Sequence, residues 1–335
     1  MFRKEIEESR ILYPDGRMER VRVEIRYDPL TLQTSRIVQK TPPFGELEEG
    51  TDPFCPFCDG VIEKVAARSP ILKGGIAWKG EAAIFSNITP YSKYSFVVRL
   101  TRDHSPSIED FSVSHFRDGL MLIKETMGLI DGEGSKGGEG NEGGLYHFAG
   151  INYLRSAGGS VRHPHMQYIA SRNPTNYFLR LDERAREFYE ENGLDYWTWL
   201  VEVEKEDDRY VGETNGVEWV AAFAPKGFYH LIGVCGDRTL AEMDEGSLER
   251  IGEGILRYMD FLKSKGMNAY NASIFFADGR GEHFRTHIHL VARTPMSRFY
   301  WNDTFFMKII HDESIVYTLP EAFAAEFRGL WDGNR

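Results

Sequence analysis

Along much of this chain apolar and polar residues alternate with a period of two, the signature of half-buried strands. VRVEIRY (21–27) reads this way, and YDPLTLQTSRIV (27–38) continues after a Pro-containing turn. AAIF (82–85) and YSFVVRL (94–100), separated by SNITPYSK, read as paired strands. LYHFAGINYL, VRHPHMQYIAS, TWLVEVEKEDDRYVGE, VEWVAAFAP, FYHLIGV, NASIFFA and THIHLVAR are expected to add further strands. Two stretches change to a helical period: 108–130, through Phe111, Phe116, Leu120, Ile123 and Met127, and 242–265, through Leu248, Ile251, Ile255, Tyr258 and Leu262. The mixed-charge segment 172–195 is expected to be helical around Asp182–Tyr189, and the last segment, from Phe305, to be a strand and then a short helix. Pro and Gly mark 41–60 as loop, and seven glycines from Asp131 to Gly144 inclusive predict a mobile surface loop. That loop spells G-x-G-x-x-G at Gly132, Gly134 and Gly137. A dinucleotide fingerprint needs a strand before it and a helix after it; here a helix precedes and more glycine follows, so it is read as a linker.

The two halves resemble each other. YSFVVRLTRDH (94–104) aligns with YHLIGVCGDR (229–238), each a strand ending in an aspartate turn (Asp103, Asp237) before an acidic linker and a long helix. HPHMQYI (163–169) aligns with HIHLVAR (287–293). This order predicts an α+β fold made of duplicated domains, 1–172 and 173–335, mainly antiparallel sheet with flanking helices.

The chain has 335 residues, with 40 Lys and Arg against 51 Asp and Glu, a net charge of −11. That balance argues against sequence-blind nucleic-acid binding. No apolar run is long enough for a membrane span, and MFRKEIEESR lacks the apolar core of a signal peptide. Three cysteines do not make a disulfide framework, which points to the reducing cytoplasm.

His163 and His165 lie two apart on an expected strand and share one face, as do His287 and His289. Pro164 limits the first pair to an extended edge or rim. Cys55 and Cys58 form a C-x-x-C in a Pro-containing loop that can present two thiolates to one metal; with no second cysteine pair, histidines would complete a Cys2His2 zinc set. Cys235, mid-strand, reads as a buried small hydrophobe. The segment from Asn152 to Gln167 is dense in phosphate-binding groups. Gly158 and Gly159 allow close backbone approach, Asn152 and Ser160 offer short polar contacts, and Arg155 and Arg162 add charge. Gln167, on the His163/His165 face, can donate to an anionic oxygen.

C-x-x-C, a D-H at Asp103-His104, an asparagine (Asn152) followed after residues 153–162 by H-P-H-x-Q, and a second H-x-H strand together resemble the galactose-1-phosphate uridylyltransferase family of the histidine-triad superfamily. The resemblance spans nearly the whole chain; Tyr27-Asp-Pro-Leu-Thr is similar to the family's opening and Phe85-x-Asn87 to its nucleoside-binding motif. It implies duplicated histidine-triad-like halves and ping-pong nucleotidyl transfer from a nucleoside-diphosphate sugar to a sugar 1-phosphate. His165 is the implied nucleophile and Gln167 and Ser160 hold the nonbridging oxygens, with Asn87, Asn152, Gly158, Gly159 and Arg162 as further substrate contacts. Cys55, Cys58, His104 and His163 are the implied ligands of one structural zinc per chain. A second metal at His287 and His289 is not expected, because the family's earlier histidine falls at Tyr270–Ile274, where none stands. Ile88 replaces an aspartate expected to touch ribose, and His311 or Asp312 occupies the position of a sugar-contacting pair. Both base and sugar therefore stay open. An ADP-sugar or dinucleoside-polyphosphate phosphorylase using inorganic phosphate is the alternative; a hydrolase, disfavoured by Gln167 where hydrolases carry histidine, and a non-catalytic nucleotide-binding protein come after it. The resemblance further implies a homodimer.

Overall fold

The structure, a computed structural model, describes residues 3–27, 32, 34–38, 54–136, 144–294 and 302–331. In chain order, its first part holds β1 (Lys4–Leu12), β2 (Met18–Tyr27), β3 (Thr34–Val38), α1 (Ile62–Val65), β4 (Ala77–Lys79), β5 (Ala82–Ser86), β6 (Tyr94–Arg99), α2 (Val113–Lys136), β7 (Tyr146–Tyr153) and β8 (His165–Ser171). There follow α3 (Asn176–Asn192), α4 (Tyr196–Lys205), β9 (Tyr210–Glu213), β10 (Val217–Ala221), β11 (Phe228–Cys235), α5 (Glu245–Ser264), β12 (Ala269–Phe275), β13 (His287–Arg293), α6 (Phe306–His311) and α7 (Pro320–Trp331). The chain divides into two compact units: 1–105, 118–147 and 163–180 form the first, and 106–117, 148–162 and 181–335 the second.

In the first unit β1, β2 and β3 form an antiparallel meander whose period-two pattern buries Ile11, Val21, Val23 and Ile25. Strands β4, β5, β6 and β8 pair antiparallel in that order. Ile62, Ala66, Ala83, Phe85 and Val97 form one core cluster, with Phe57 and Ile76 packed against it. Leu120, Ile123, Met127 and Ile130 of α2 are buried, at the expected helical spacing. Gly119 allows the close approach of that helix: a Cβ there would stand 2.7 Å from Leu100 Cδ2.

The second unit orders its strands β7-β12-β13-β11-β10-β9, again antiparallel. Helix α5 is capped by Asp244, which accepts from the Ser247 amide, and it buries the expected stripe from Leu248 to Leu262. The two units use the same order of parts. A hairpin (β5–β6, β10–β11) leads into a long helix (α2, α5), and a later strand (β8, β13) pairs antiparallel with the hairpin's second strand. The fold is thus a duplicated α+β arrangement of antiparallel sheet with flanking helices.

Three local expectations are corrected. TWLVEVEK is helix α4, not strand: Asp195 caps it by accepting from the Thr198 amide, and Trp197, Leu200, Val201 and Glu204 are buried at helical spacing. A strand would have buried alternate positions, whereas Trp199 and Val203 are exposed. FFMKIIH holds the helix α6 instead of a strand, with Phe306, Ile309 and Ile310 outward. Finally, α2 begins at Val113 after a 3-10 turn closed by Ser107 and Asp110, and it continues to Lys136. The predicted loop therefore starts as helix, since a growing helix gains a hydrogen bond with each added residue and tolerates Gly132 and Gly134. Gly137 of the G-x-G-x-x-G, the loop at 41–53 and most of the turn at 28–33 lie outside the described residues. Among the described residues no helix is long and apolar enough to cross a membrane.

Candidate active site and metal centre

In the first unit the C-x-x-C loop, the turn after β6 and the residues leading into β8 meet. The ligand atoms of Cys55, Cys58, His104 and His163 all lie within 4.8 Å of one another. Cys55 Sγ is 3.6 Å from His163 Nδ1, and Cys58 Sγ is 3.7 Å from His104 Nδ1 and 3.8 Å from His163 Nδ1. Bonds of about 2.3 Å to sulfur and about 2.0 Å to nitrogen, arranged tetrahedrally, separate S and N donors by about 3.6 Å, so the set fits a zinc-sized ion. His163 Nε2 donates to the Thr101 carbonyl at 2.7 Å, which leaves Nδ1 as the free lone pair, the usual outer support of a metal-binding imidazole. Burial holds the His163 imidazole neutral, down at about 4, and pushes the Cys55 thiol up to about 11. Four residues expected to bind metal are thus brought together, and they can hold one.

Strand β8 begins at His165, which faces Arg99 in the β6 ladder. His165 Nδ1 donates to the His163 carbonyl at 2.8 Å. That bond fixes the tautomer with its lone pair on Nε2, and burial lowers the imidazole's affinity for a proton. The Phe57 ring, from inside the C-x-x-C loop, meets the His165 ring edge-on at 5.3 Å between centroids. Metal loop and nucleophile candidate are therefore in direct contact. Gln167 sits two residues along β8, on the His165 face and half-buried. Asn87 is buried, and its Oδ1 accepts from the Thr89 amide at 2.9 Å, closing its own turn.

The other expected substrate contacts belong to the second unit. Exposed Asn152 lies near the end of β7. The chain then enters a 3-10 turn, Arg155–Ala157, which Gly158 ends in the left-handed region at φ 89°. Gly159 is packed against backbone: a Cβ would lie 2.7 Å from the Asn152 carbonyl oxygen and 2.9 Å from that of Leu154. Ser160 and Arg162 are exposed on the segment that runs into His163. His311 is exposed at the end of α6, its ring against Phe306, and Asp312 ends that helix at φ 53°.

No protein-family model matches the chain. An uncharacterized protein of Archaeoglobus fulgidus is 47% identical over 336 residues, 98% of each chain. The chain belongs to the same family as this archaeal protein. Among solved structures it is similar to a uridylyltransferase, with TM-score 0.72 and 17% identity over 93% of this chain and 99% of that one. It is also similar to an Arabidopsis thaliana ADP-glucose phosphorylase with bound ADP-glucose, with TM-score 0.64 and 17% identity over 91% and 98% of the two chains. A GalT-like protein from the same plant gives TM-score 0.64 and 18% identity over 82% and 91%. The chain has the fold of this uridylyltransferase.

Within this uridylyltransferase fold, several contributors had no local sequence signal. Arg99 is 1% exposed. It donates to the Phe57 carbonyl at 3.1 Å, the Asp59 carboxylate at 2.5 Å and the Glu81 carbonyl at 2.9 Å, and so fastens the C-x-x-C loop beside His165. Thr101 holds His163 through its backbone oxygen and donates its hydroxyl to the Asp103 carbonyl, and Asn271 binds Asn152. Phe57 stands between the two cysteines and has no sequence signal of its own. The second histidine pair is packed differently from the first. His287 lies between Trp197 and Phe275, with centroids 4.4 and 5.1 Å away. His289 Nδ1 accepts from His230 Nε2 at 2.8 Å, since His230 Nδ1 itself accepts from the Lys226 amide. Burial keeps His230 down at about 3 and His287 down at about 4.

Proposed function

We propose that the chain is a nucleotidyltransferase that moves a nucleoside monophosphate from a nucleoside-diphosphate sugar to a sugar 1-phosphate through His165. The supporting observation is the state of that imidazole: buried, neutral, with Nδ1–H committed to the His163 carbonyl and the Nε2 lone pair free to attack. Nε2 attacks the α-phosphorus, the P–O bond to the sugar phosphate breaks, and sugar 1-phosphate leaves with that electron pair. The positive charge left on the phosphorylated ring is stabilised by its hydrogen bond to the carbonyl. A phosphate oxygen of the acceptor then attacks phosphorus, the N–P bond breaks, and the ring returns to neutrality. Splitting one displacement into two reversible steps is the gain of covalent catalysis. Gln167, Ser160, Asn152, Arg162 and the Gly158–Gly159 backbone bind the nucleotide phosphates, with Asn87, His311 and Asp312 toward nucleoside and sugar. Cys55, Cys58, His104 and His163 hold a structural zinc, which with four protein ligands leaves no open position and rigidifies the loop.

A phosphorylase using inorganic phosphate as acceptor is the second reading; Ile88, 38% exposed, where a ribose-binding aspartate is expected, leaves the donor's nucleoside open. The fold likeness to the ADP-glucose phosphorylase is in keeping with it. The chain is proposed to act in the cytoplasm as a homodimer, supported by the exposed apolar residues Phe306, Ile310, Tyr317 and Leu319. Sedimentation at micromolar concentration checks the latter.

Intact-mass measurement after incubation with UDP-sugars and ADP-sugars separately tests the chemistry. A UMP or AMP adduct is expected with one donor class, and its absence from His165→Gly. No adduct with any donor, or an unaltered adduct in the variant, refutes the assignment. Release by sugar 1-phosphate or by phosphate separates the two readings.

A further inference from the structure

We infer that Asn271, held by Arg293 and Asp303, is a positioning residue that sets the Asn152 amide so that its N–H donors face the ligand; this rests on the nucleotide-binding role proposed for Asn152. The groups concerned lie within the second unit, and the ladder brings them together. Asn271 on β12 is directly opposite Asn152 on β7, and opposite Val291 on β13, so Arg293 is its diagonal neighbour.

The hydrogen bonds have only one consistent direction. Asp303 can only accept: its carboxylate takes Arg293 Nε at 2.7 Å and Nη2 at 2.6 Å. Arg293 can only donate, and its Nη1 reaches Asn271 Oδ1 at 2.7 Å. That fixes which end of the Asn271 amide is oxygen. Its Nδ2 then gives one proton to the Ala157 carbonyl at 2.8 Å, a group that can only accept, and the other to Asn152 Oδ1 at 2.7 Å. Two independent partners thus agree on the Asn271 orientation, and the Asn152 orientation follows. With Oδ1 engaged, Asn152 presents Nδ2 outward from an exposed position. A donor there suits an anionic phosphate oxygen; the inverted amide would present oxygen to oxygen. Through Ala157 the same side chain ties down the turn that delivers Gly158, Gly159 and Ser160. Aligned acceptor, donor and amide therefore carry the polarity of the half-buried Asp303 carboxylate to a ligand-facing amide, and Asn271 decides ligand polarity without touching ligand.

The test has two arms. Side-chain amide hydrogen exchange by NMR on the full-length protein needs no substrate. The Asn271 amide protons are expected to be protected and those of Asn152 to exchange freely; the reverse pattern overturns the inference. In the second arm, UDP-glucose and ADP-glucose binding is measured by calorimetry for the wild type, Asn271→Asp, Asn152→Ala and the double variant. Asn271→Asp removes both donors and lets Asn152 invert. It should weaken binding of whichever nucleotide the wild type takes by about tenfold or more, as expected for a lost hydrogen bond to a charged group. In the Asn152→Ala background the same change should have a clearly smaller effect, because only the route through Ala157 and its turn remains. An equal loss in both backgrounds, or none in either, overturns the inference; thermal denaturation and metal content identify a variant that has simply failed to fold. A wild type that binds neither nucleotide refutes the transferase reading and the ligand-facing role with it, while the exchange pattern decides the amide geometry independently.

Discussion

Arg99 is a guanidinium in the first unit's core, beside the candidate nucleophile and bound to the metal loop by two contacts. Its Asp59 partner is 51% exposed, so most of the Arg99 contribution comes from desolvated bonds to backbone carbonyls rather than from the ion pair. Arg99→Met should keep the volume but release Phe57 and Asp59. The expected outcome is a loss of stability of roughly 1–3 kcal/mol, measured by urea denaturation, with partial loss of bound zinc. Cys55→Ser should remove the metal outright. A Cys55→Ser protein that keeps one zinc per chain by elemental analysis would dismiss the assigned set. The thiol pair was legible from its C-x-x-C spacing, and His104 and His163 as its partners only from the family resemblance. Arg99 was not, because an arginine ending a strand pattern is ordinary until its neighbours are known.

The turn between β7 and β8 owes its form to glycine at two positions for different reasons. Gly158 occupies a left-handed backbone conformation; Gly159 has ordinary dihedrals but lies against two carbonyl oxygens. Gly159→Ala forces backbone apart, not a flexible side chain, and should slow nucleotide-adduct formation by about tenfold or more while leaving zinc content unchanged, on the scale of a 1 Å misplacement at a reactive site. Adduct formation at the wild-type rate would show that the turn is not tightly coupled to the chemistry. Strand β8 and the long helices were readable from periodicity. Helix α4 was not, because WTWLVEV satisfies both periods: alternation through Trp197, Trp199, Val201 and Val203 competes with the helical stripe through Trp197, Leu200, Val201 and Glu204. The Asp195 cap and the packing of the second unit favour the stripe.

Acid should destabilise this protein through its second unit. His230 and His287 titrate down at about 3 and about 4 in the fold, while an unfolded histidine takes a proton near pH 6.5. Below that pH the unfolded chain binds more protons, so stability falls as pH falls. The cost is about 1.4 kcal/mol per pH unit for each such histidine until its folded value is reached. Urea midpoints measured from pH 7 to pH 5 should fall accordingly, and His287→Phe, which keeps an aromatic ring against Trp197 and Phe275, should flatten the slope by about one proton. A midpoint independent of pH over that range would mean that these imidazoles take up protons in the fold as readily as in the unfolded chain.

What could be read from the order of residues alone was chemical identity and period: the thiol pair, the H-P-H strand, the glycine turn, the alternation that makes strands and the repetition that makes two similar halves. Those are local properties, carried by residue type and spacing over a few positions. Packing decided the rest. It buried Arg99 against the metal loop, wedged His287 between aromatic rings, turned WTWLVEV into helix and put Asn271 opposite Asn152. Each of these depends on groups far apart in the chain whose hydrogen bonds and contacts exist only once the strands are in register.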